Sequence, residues 1–557
     1  EHVVCDVLVG EYVEFTPYFS NSWLVATHFV RRVDPYHTIN ASSKALQDAI
    51  VQLTMSWKEH LERYLVEEFG DEHGRQLHET YGDAFSPGYM DDFEPRDAID
   101  DIRKIALLEN SDDIAMRFYR RLGGDEKALK FRLFRLNTPL ALSDVMPILE
   151  NLGLRVESEH PYGIKRVDGQ IIWVHEFGLT FSLGTNVDFD VIGDVFQEAF
   201  LRIWRKDAES DSLNRLILGA ELGWREIAML RAYSRYMKQI QFSFSGDYIA
   251  EALANHLELT GQIVEYFCAC FEPGSSGSNV GKQQSIEAMK KNIIAGLDAV
   301  KNLSEDRIIR QYLSLIDATL RTNYFQANSD GTRKNYFSFK LSPNSIPDMP
   351  QPVPMFEIFV YSPRVEGVHL RGGKVARGGL RWSDRQEDFR TEILGLMKAQ
   401  QVKNSVIVPT GAKGGIIARQ LPVSAGRDKV LEEGISCYKI FIQALLDVTD
   451  NLVDGVVIPP AQVVRRDDDD TYLVVAADKG TATFSDIANA LSVNAKFWLG
   501  DAFASGGSTG YDHKKMGITA KGAWVSVQRH FRELGVNIQD ADFTVVGIGD
   551  MGGDVFG

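Results

Sequence analysis

The sequence predicts a multidomain α/β protein, and three observations support that prediction. Its 557 residues are enough for about three to five domains. Residues 126–205 show the pattern strand, helix, strand, strand, helix, whereas residues 206–342 are mostly helical in pattern. Towards the C-terminal end, short apolar runs alternate with glycine-rich stretches that carry charged side chains, as at the sheet edges of α/β proteins.

Composition and charge argue against several classes of function. Hydrophobic residues make up 44% and charged residues 25% of the chain, which is ordinary for a globular protein. The net charge of -17 argues against nucleic acid or an anionic membrane surface as the main partner. No apolar run reaches the ~18 residues of a membrane-spanning helix. Four cysteines are too few for a disulfide framework, so we expect a reduced, cytoplasmic compartment.

Both ends of the sequence are expected to continue. The chain starts at Glu1 without an initiator methionine or a signal peptide. It stops at Gly557, shortly after a glycine motif that should open a helix. We therefore expect part of the protein to lie outside this sequence.

Residues 1–125 form the first predicted region, of mixed α+β structure. We expect strands over 3–13 and 23–33 and one helix over 42–69, in which apolar side chains recur every three or four residues. Nothing in this region has the spacing of a catalytic group.

Residues 126–205 form a second, more regular region. The predicted elements are strands over 128–136, 155–164 and 171–181 and helices over 143–152 and 190–204. Asp168 and Gly169 give the turn of a hairpin between the last two strands. This order fits a ferredoxin-like module and resembles an ACT-type regulatory domain, a class that often binds amino acids. A plain structural domain is the alternative. His160 and His175 are expected to be ordinary strand residues.

Residues 206–342 are expected to form a helical spacer or assembly domain. The predicted helices cover 222–241, 247–271 and 285–322, and a strand covers 337–341. Cys268 and Cys270 could suggest a metal site, but no second Cys/His pair lies near them. We therefore expect free, half-buried thiols and no metal site.

The substrate-binding domain is placed at residues 343–515. After a strand over 355–361, four basic side chains are set in glycine-rich stretches that we predict to be loops: Lys374, Arg377, Arg381 and Lys413. Glycine lets a backbone approach a ligand closely, and basic side chains there can bind a small anion. Lys403 closes an apolar helix, and a buried strand over 405–409 is expected to deliver Lys413 on a glycine turn.

A carboxylate follows another apolar run in the same domain. After a helix over 430–449 and a buried strand near Val456, the run over 473–477 ends at Asp478. A partly buried carboxylate at a strand end is suited to proton transfer near neutral pH, although helix N-caps have the same pattern. The run of aspartates over 467–470 could bind a divalent cation, but a solvated turn is favoured because no further ligand array accompanies it.

Residues 516–557 are predicted to begin a dinucleotide-binding domain. A helix over 519–534 and a strand over 543–546 precede a Gly-x-Gly-x-x-Gly motif, whose residues are Gly547, Gly549, Asp550, Met551 and Gly552. After an apolar strand, such glycines allow the tight turn and close approach that a Rossmann domain offers a pyrophosphate. The acidic residue that distinguishes NAD from NADP is expected ~20 positions later, beyond Gly557.

Together these motifs bring a family into view. The segments 377–381, 400–404 and 411–415, with Asp478, Thr519 and 547–552, resemble those of glutamate dehydrogenases in order and approximate spacing. The segments 377–385 and 477–486 look like the large-subunit, NAD-specific branch. The specific likeness covers about 360–557. It implies a substrate domain followed by a Rossmann domain, in an enzyme that assembles symmetrically as a homo-oligomer.

The resemblance also implies roles for individual residues. Lys413 would activate the water that attacks the substrate carbon, and Asp478 would shuttle the proton of the amino nitrogen. Gln400 and Lys403 would hold the α-carboxylate, Thr519 would contact the nicotinamide carboxamide, and the N–H groups of Asp550 and Met551 would face the cofactor phosphates.

One position departs from the family pattern. Smaller glutamate dehydrogenases carry lysine where this chain has Arg377, at the residue that grips the side-chain carboxylate. Arg377 could hold that group through two hydrogen bonds, or Lys374 could reach it instead, since arginine and lysine are not interchangeable.

The resulting function hypothesis is reversible NAD-dependent deamination of L-glutamate to 2-oxoglutarate and ammonia. The alternatives are a dehydrogenase of another amino acid with the same fold and a non-catalytic regulatory or scaffold relative. A phosphotransferase is not supported, because 411–415 lacks the phosphate-binding loop pattern. An amino-acid effector, if there is one, is expected at the βαββα module.

Overall fold

The computed structural model describes most of the chain in two compact units. The described residues are 11–19, 25–32, 42–120, 129–181, 189–274, 279–403, 410–477, 482–505, 508 and 516–546. The first unit comprises residues 1–145 and 156–180, and the second comprises 146–155 and 181–557. Among these residues no helix has both the length and the apolar character that a bilayer crossing requires.

The first unit begins with an antiparallel hairpin of β1 (Glu11–Phe19) and β2 (Val25–Arg32). β1 therefore lies further along the chain than the strand predicted over 3–13, of which residues 3–10 fall outside the described part. Five helices follow, α1 to α5: Ser43–Thr54, Trp57–Phe69, Asp71–Tyr81, Pro87–Asp92 and Pro95–Ile105.

The single helix predicted over 42–69 is wrong, because the chain breaks into α1 and α2 at Ser56. The Ser56 hydroxyl accepts the backbone N–H of Glu59, and the Glu59 carboxylate accepts the backbone N–H of Ser56. This reciprocal pair satisfies N–H groups that would otherwise be orphaned at a helix start. The Ser-x-x-Glu signal was present in the sequence.

Four strands form one sheet in the order β3-β4-β6-β5. Their bounds are Ile114–Arg120, Leu129–Leu136, Leu154–Lys165 and Ile171–Phe181 for β3 to β6. In chain order α6 (Leu142–Asn151) follows β4 and α7 (Phe189–Trp204) follows β6. The predicted pattern of three strands and two helices is thus confirmed, and the Gly169 turn has a φ of 86°. β3 was not predicted.

Helices α2, α4 and α5 cover one face of this sheet. Leu61, Tyr89 and Ile102 pack in one apolar cluster with Phe134 and Val174, all of them nearly or fully buried. Burial of such side chains contributes roughly 1.5–3 kcal/mol each and holds the helices on the sheet. On the strands themselves, His175 is buried with its Nδ1 2.7 Å from Glu159 Oε1, and His160 is exposed.

The second unit continues with a helical region. A 3-10 turn at Ser212–Arg215 precedes helices α8 to α13: Leu216–Gly219, Trp224–Gln239, Gly246–Asn255, Leu257–Phe271, Asn279–Leu297 and Leu303–Ala318. The helices predicted over 247–271 and 285–322 are each interrupted. Asn302 caps the start of α13, whose end passes directly into a strand. Cys268 and Cys270 are free thiols, and burial raises the pKa of both, for Cys268 to about 12.

An eight-stranded sheet forms the core of the second unit, in the order β16-β15-β11-β12-β10-β9-β8-β7. The strands that it contains are β7 (Thr319–Thr322), β8 (Phe337–Leu341), β9 (Phe356–Tyr361), β10 (Val365–Arg371), β11 (Ala376–Trp382), β12 (Thr410–Ala418), β15 (Val474–Ala477) and β16 (Ala504–Ser505). β8 agrees with the strand predicted over 337–341, and β9 with the one over 355–361. β13 (Asn451–Val453) and β14 (Val456–Ile458) form a separate hairpin. The strand expected near Val456 is therefore present but not buried, since Val456 is 60% exposed.

Helices cover both faces of this sheet. α14 (Phe389–Lys403) lies on one face, where a Cβ added at Gly415 would meet Ile393. α15 (Arg427–Leu446) lies on the other, where a Cβ at Gly367 would meet Phe441. Side chains alternate along each strand, so residues of β12 divide between these two helices. α16 (Ala482–Asn494) and α17 (Ile518–Glu533) complete the described helices.

The strand predicted over 543–546 is absent. These residues have no regular structure, and Val545 and Val546 are largely exposed. A strand needs neighbours to accept its backbone hydrogen bonds, and no strand within the described residues lies beside this segment. The helix predicted over 519–534 is confirmed as α17. The observed architecture is therefore mixed α/β, and residues 516–546, the described part of the expected Rossmann domain, contain a helix and no strand.

Candidate active site

The glycine-rich stretches predicted to be loops are strands. β11 runs parallel to β12 on one side and to β15 on the other. Its glycines serve close packing, since a Cβ at Gly378 would lie 1.5 Å from the carbonyl oxygen of Ala412. The prediction of loops was wrong because glycine was taken as a sign of a turn, whereas here it permits two backbones to approach.

Lys413 lies within β12, and not on a glycine turn. Residues 404–409, which include most of the strand predicted to deliver it, fall outside the described part of the chain. Lys413 pairs with Leu370 of β10 and is half-buried. Gly411 and Gly415 share its face of the sheet, and Cβ atoms there would meet Gln400 and Ile393 of α14. The two glycines thus let α14 pack against β12 on either side of the lysine stem.

Arg377 lies beside this lysine on the neighbouring strand. It is in register with Gly411, so its side chain is on the face that carries Lys413. Arg377 is exposed. Gln400 of α14 donates a hydrogen bond of 3.3 Å from its Nε2 to the carbonyl oxygen of Arg377. The Gln400 Oε1 is buried without a hydrogen-bond partner among the described residues, and is available to a bound donor.

A further basic residue on the same face is held by α14. Arg381 is in register with Gly415, and its Nε lies 3.1 Å from Glu392 Oε1. The other oxygen of Glu392 accepts a 2.6 Å hydrogen bond from the Ser383 hydroxyl. One face of the sheet therefore carries Arg377, Lys413 and Arg381 beneath α14. Of these three side chains, only Arg381 forms an ion pair with a carboxylate among the described residues.

Two predicted substrate residues lie at the margin of this group. Lys374 is exposed in the turn between β10 and β11, with its Nζ 3.0 Å from Asp468 Oδ2. Lys403 is the last described residue of α14. The side chain of Lys403 is outside the described part of the structure.

The strand that leads to Asp478 lies two positions from β12. β15 ends at Ala477, which is in register with Leu380 of β11, and Leu380 is in register with Gly414. The end of β15 is thus level with Lys413 and Gly414 at two strand spacings, roughly 10 Å. Asp478 itself, which follows Ala477 in sequence, is outside the described residues.

His369 on β10 is not a competing base. It is in register with Gly414, so its side chain lies on the sheet face opposite to Lys413. Burial, and then the charge of Arg371, lower the pKa of His369 to about 3. Its imidazole is therefore neutral near neutral pH.

The aspartates over 467–470 divide into two kinds, so the solvated turn favoured from the sequence is only half right. Asp468 and Asp469 are exposed and face Lys374 and Arg465. Asp467 and Asp470 are directed inward, with side chains 10% and 5% exposed, and both contact the buried Lys340 of β8. Their acceptors are occupied by cationic side chains. Among the described residues no group of three or more His, Cys, Asp or Glu side chains is arranged to hold a metal.

Sequence reasoning missed the arginine that joins this acidic run to the site. Arg371, the last residue of β10, is 1% exposed and donates to both carboxylate oxygens of Asp470. It also donates to the backbone oxygen of Tyr472, at 3.0 Å, just before β15. The sequence held no local signal for this, because β10 includes Glu366 and His369, and only the fold shows that all seven of its residues are buried. A buried cation then requires a buried partner.

One predicted cofactor contact lies in the described residues. Thr519 is the second residue of α17, is exposed, and follows Gly517, whose φ is 58°. A hydroxyl and the N–H groups of a first helical turn are of the kind that binds the polar groups of a dinucleotide. The motif residues Gly547, Gly549, Asp550, Met551 and Gly552 lie outside the described part.

Protein-family models match most of the chain. Residues 292–557 match the catalytic domain of bacterial NAD-glutamate dehydrogenase. Further models of glutamate dehydrogenase match most of the preceding residues: helical motif 3 at 208–273, the ACT3 domain at 113–192, helical motif 2 at 64–108 and the ACT2 domain at 1–58.

Individual relatives match over almost the whole sequence. NAD-specific glutamate dehydrogenases of Pseudomonas aeruginosa and Halomonas elongata are 52% and 51% identical over 557 residues. That of Mycobacterium tuberculosis is 44% identical over 99% of the chain. The chain spans about a third of the length of these relatives, 34% to 35%. With five family models and these relatives in agreement, the chain belongs to the NAD-specific glutamate dehydrogenase family.

Proposed function

We propose that the full-length protein catalyses reversible, NAD-dependent oxidative deamination of L-glutamate to 2-oxoglutarate and ammonia. The observation that carries the proposal is the position of Lys413, half-buried on a sheet face with Arg377 beside it and Gln400 above. A partly enclosed amine, next to a guanidinium that has no carboxylate partner among the described residues, suits a dicarboxylate substrate.

In this proposal the chain's own residues divide the chemistry. Lys413 activates the water that adds to the iminium carbon and, in the reverse direction, assists its departure. Asp478 carries the proton to and from the amino nitrogen, so that ammonia can leave. Both roles require the two side chains to face one substrate carbon, and β15 brings the chain to the level of Lys413 before Asp478.

Substrate orientation is assigned to the surrounding donors. Gln400 and Lys403, three residues apart on α14, hold the α-carboxylate. Arg377 holds the side-chain carboxylate, because its exposed guanidinium has no ion pair among the described residues, whereas Lys374 is paired with Asp468. We therefore favour Arg377 over Lys374 for this contact.

NAD, when bound, supplies the acceptor for the hydride that leaves the substrate Cα. Thr519 would orient its carboxamide, and the glycines at 547, 549 and 552 with the N–H groups of Asp550 and Met551 would face its phosphates. On this proposal the catalytic portion is 343–515 and the cofactor domain starts at 516–557.

The central experiment compares two lysine variants of the full-length protein. Lys413→Ala should lower kcat for glutamate by roughly 10²- to 10⁴-fold, because it removes the group that activates water. Lys398→Ala, in the same helix as Gln400 but exposed, is the matched control and should keep wild-type rates. NADH formation followed by absorbance gives both values. A Lys413→Ala enzyme with full activity would revive the non-catalytic alternative.

A second measurement decides between amino-acid substrates. Glutamate should be preferred over leucine in kcat/KM, since an apolar side chain leaves the Arg377 guanidinium without its partner. Equal values for the two would favour the other amino-acid dehydrogenases of this fold.

We also propose an effector site, from the topology of the first unit, and a homo-oligomeric assembly, from the resemblance to the family. The residues over 126–205 would bind an amino-acid effector, and the whole protein would form a homo-oligomer. The free thiols Cys268, Cys270 and Cys437 fit a reduced, cytoplasmic location. Changes of kinetics with added amino acids, in the wild type and in a variant with an altered module, would test the effector site.

A further inference from the structure

Arg371 connects two strands that are not neighbours in the sheet. Its backbone is in register with Ala412, the residue before Lys413 in β12. Its side chain reaches past the start of β11 to the segment that leads into β15. There it donates to Asp470 through Nη1, at 3.0 Å, and Nη2, and through Nη1 to the Tyr472 carbonyl oxygen, also at 3.0 Å.

The segment that Arg371 contacts is also held by other buried charged groups. Asp470 lies 2.7 Å from Lys340 Nζ, and its backbone N–H donates to Asp450 Oδ2 at 2.7 Å. Asp450 is held in turn by Arg321, with a distance of 2.9 Å between Oδ1 and Nη1. The side chains of all these groups are 5% exposed or less. The approach to β15 is therefore clamped within a buried ionic cluster.

The pairing of β15 alone leaves its register weakly fixed. Its four described residues, Val474–Ala477, pair in parallel with β11. Parallel pairing is slightly less stable per residue than antiparallel pairing, and a slip of one residue sends each side chain to the opposite face. Apolar Val474 and Val475 give little discrimination between registers. The hydrogen bond from Arg371 to the Tyr472 carbonyl oxygen, two residues before the strand, fixes a single register.

We propose that Arg371 is a positioning residue, which fixes the register of β15 against the strand that carries Lys413. The inference rests on the proposed function, because the residue delivered after β15 is the carboxylate Asp478. A change of register would alter where that carboxylate enters the site while leaving cofactor contacts in place. The expected signature is therefore a loss in kcat and not in the KM for NAD.

The test uses Arg371→Lys in the full-length protein, with Arg231→Lys as its matched control. Arg231 is also 1% exposed and donates two hydrogen bonds to one carboxylate, that of Asp211, but it lies in α9. Lysine keeps the charge at either position and loses the paired geometry. Both variants should lose similar thermal stability.

The two variants should differ in catalysis and in hydrogen exchange. Arg371→Lys should lower kcat by roughly tenfold to a hundredfold, the usual cost of misplacing a catalytic group, with the KM for NAD within about twofold of wild type. Amide exchange over 472–477 should become faster. Arg231→Lys should leave both unchanged. Wild-type kcat and wild-type exchange in Arg371→Lys, or an equal loss of kcat in Arg231→Lys, would overturn the proposal.

A replacement variant and the activity of the wild type separate the remaining outcomes of this test. If Arg371→Lys does not fold, Asp470→Glu, which keeps the charge and moves the anchor by one methylene, should show the same loss of kcat and faster exchange. If neither variant folds while Arg231→Lys does, the cluster serves stability and the positioning role is rejected. A wild type without activity on glutamate rejects the proposed function alone, because the exchange at 472–477 still tests the anchor.

Discussion

The two units bury charge in opposite ways. In the first, one buried cation serves two carboxylates: Arg132 lies 2.7 Å from Asp101 through Nη1 and also contacts Glu176 through Nε. In the second, one carboxylate serves two buried cations, since Asp470 faces both Arg371 and Lys340.

This difference reverses the ionisation of the buried acids. Burial raises the pKa of Asp101 above its usual range in spite of Arg132. Burial alone would also raise the pKa of Asp470, but Arg371 and then Lys340 outweigh it and hold that pKa well below its usual range. A buried ion pair therefore has no fixed effect on the pKa of its carboxyl group, which depends on whether burial or the neighbouring cations contribute more.

The largest effect is expected from removing the shared cation of the first unit. Arg132→Met should cost about 3–5 kcal/mol, because it leaves Asp101 and Glu176 buried without their common partner. The measurement is the free energy of opening of β4 in the full-length protein, from peptide-resolved hydrogen exchange. Arg117→Met is the control. Arg117 is 3.7 Å from Asp101 and partly exposed, so its loss should cost less than about 1 kcal/mol. Equal costs would mean that Arg132 is not the central partner.

A smaller difference should separate the two acids. Asp470→Asn should cost about 2–3 kcal/mol at pH 7, because two buried cations lose a charged acceptor. The cost is limited because Lys340 keeps its ion pair with Asp467. Asp101→Asn should cost less, since burial raises the pKa of Asp101 and so works against its charged form, whereas the pKa of Asp470 is lowered. Local exchange free energies would compare the variants, and the opposite order would break the contrast.

The smallest effect is the dependence of these differences on pH. The ordinary pKa of an aspartate is 3.8, and that of Asp470 is lowered in the folded state. Its contribution is therefore complete above pH 3.8 and is lost as the pH falls towards its folded value. For Asp101, with a raised pKa, protonation favours the folded state, so its contribution to stability declines as the pH rises above 3.8. The difference between wild type and Asp470→Asn should thus shrink below pH 3.8, and a constant difference would exclude this linkage.

The first unit also shows which strands could be predicted from the sequence and which could not. The strands over 128–136, 155–164 and 171–181 were predicted almost to the residue, because alternation and the Asp168-Gly169 turn are local signals. β3 escaped prediction because residues 114–120 do not alternate apolar and polar side chains: three apolar residues precede Arg117, and the aromatic Phe118 and Tyr119 are adjacent. Local pattern does not say which strands pair.

Three of the predicted site residues lie close together, but not on the predicted loops, and their roles remain proposals. Arg377 and Lys413 lie on strands beneath α14, which carries Gln400, because a glycine pattern does not distinguish a turn from a close strand contact. Arg371 and Asp470 were missed for a different reason. Charged residues are normally exposed, and only the fold reveals which of them are buried and paired. Asp478 and the glycine motif at 547–552 remain predictions.

The contact between β11 and β12 also limits how this site can be re-engineered. Even a methyl group at Gly378 would overlap the Ala412 carbonyl, so the close approach of the two strands does not allow a side chain at this point. Directed evolution towards another amino-acid substrate therefore has to change α14, at Gln400 and its neighbours, or replace Arg377. Libraries that spare 378 and sample those positions will contain more folded members.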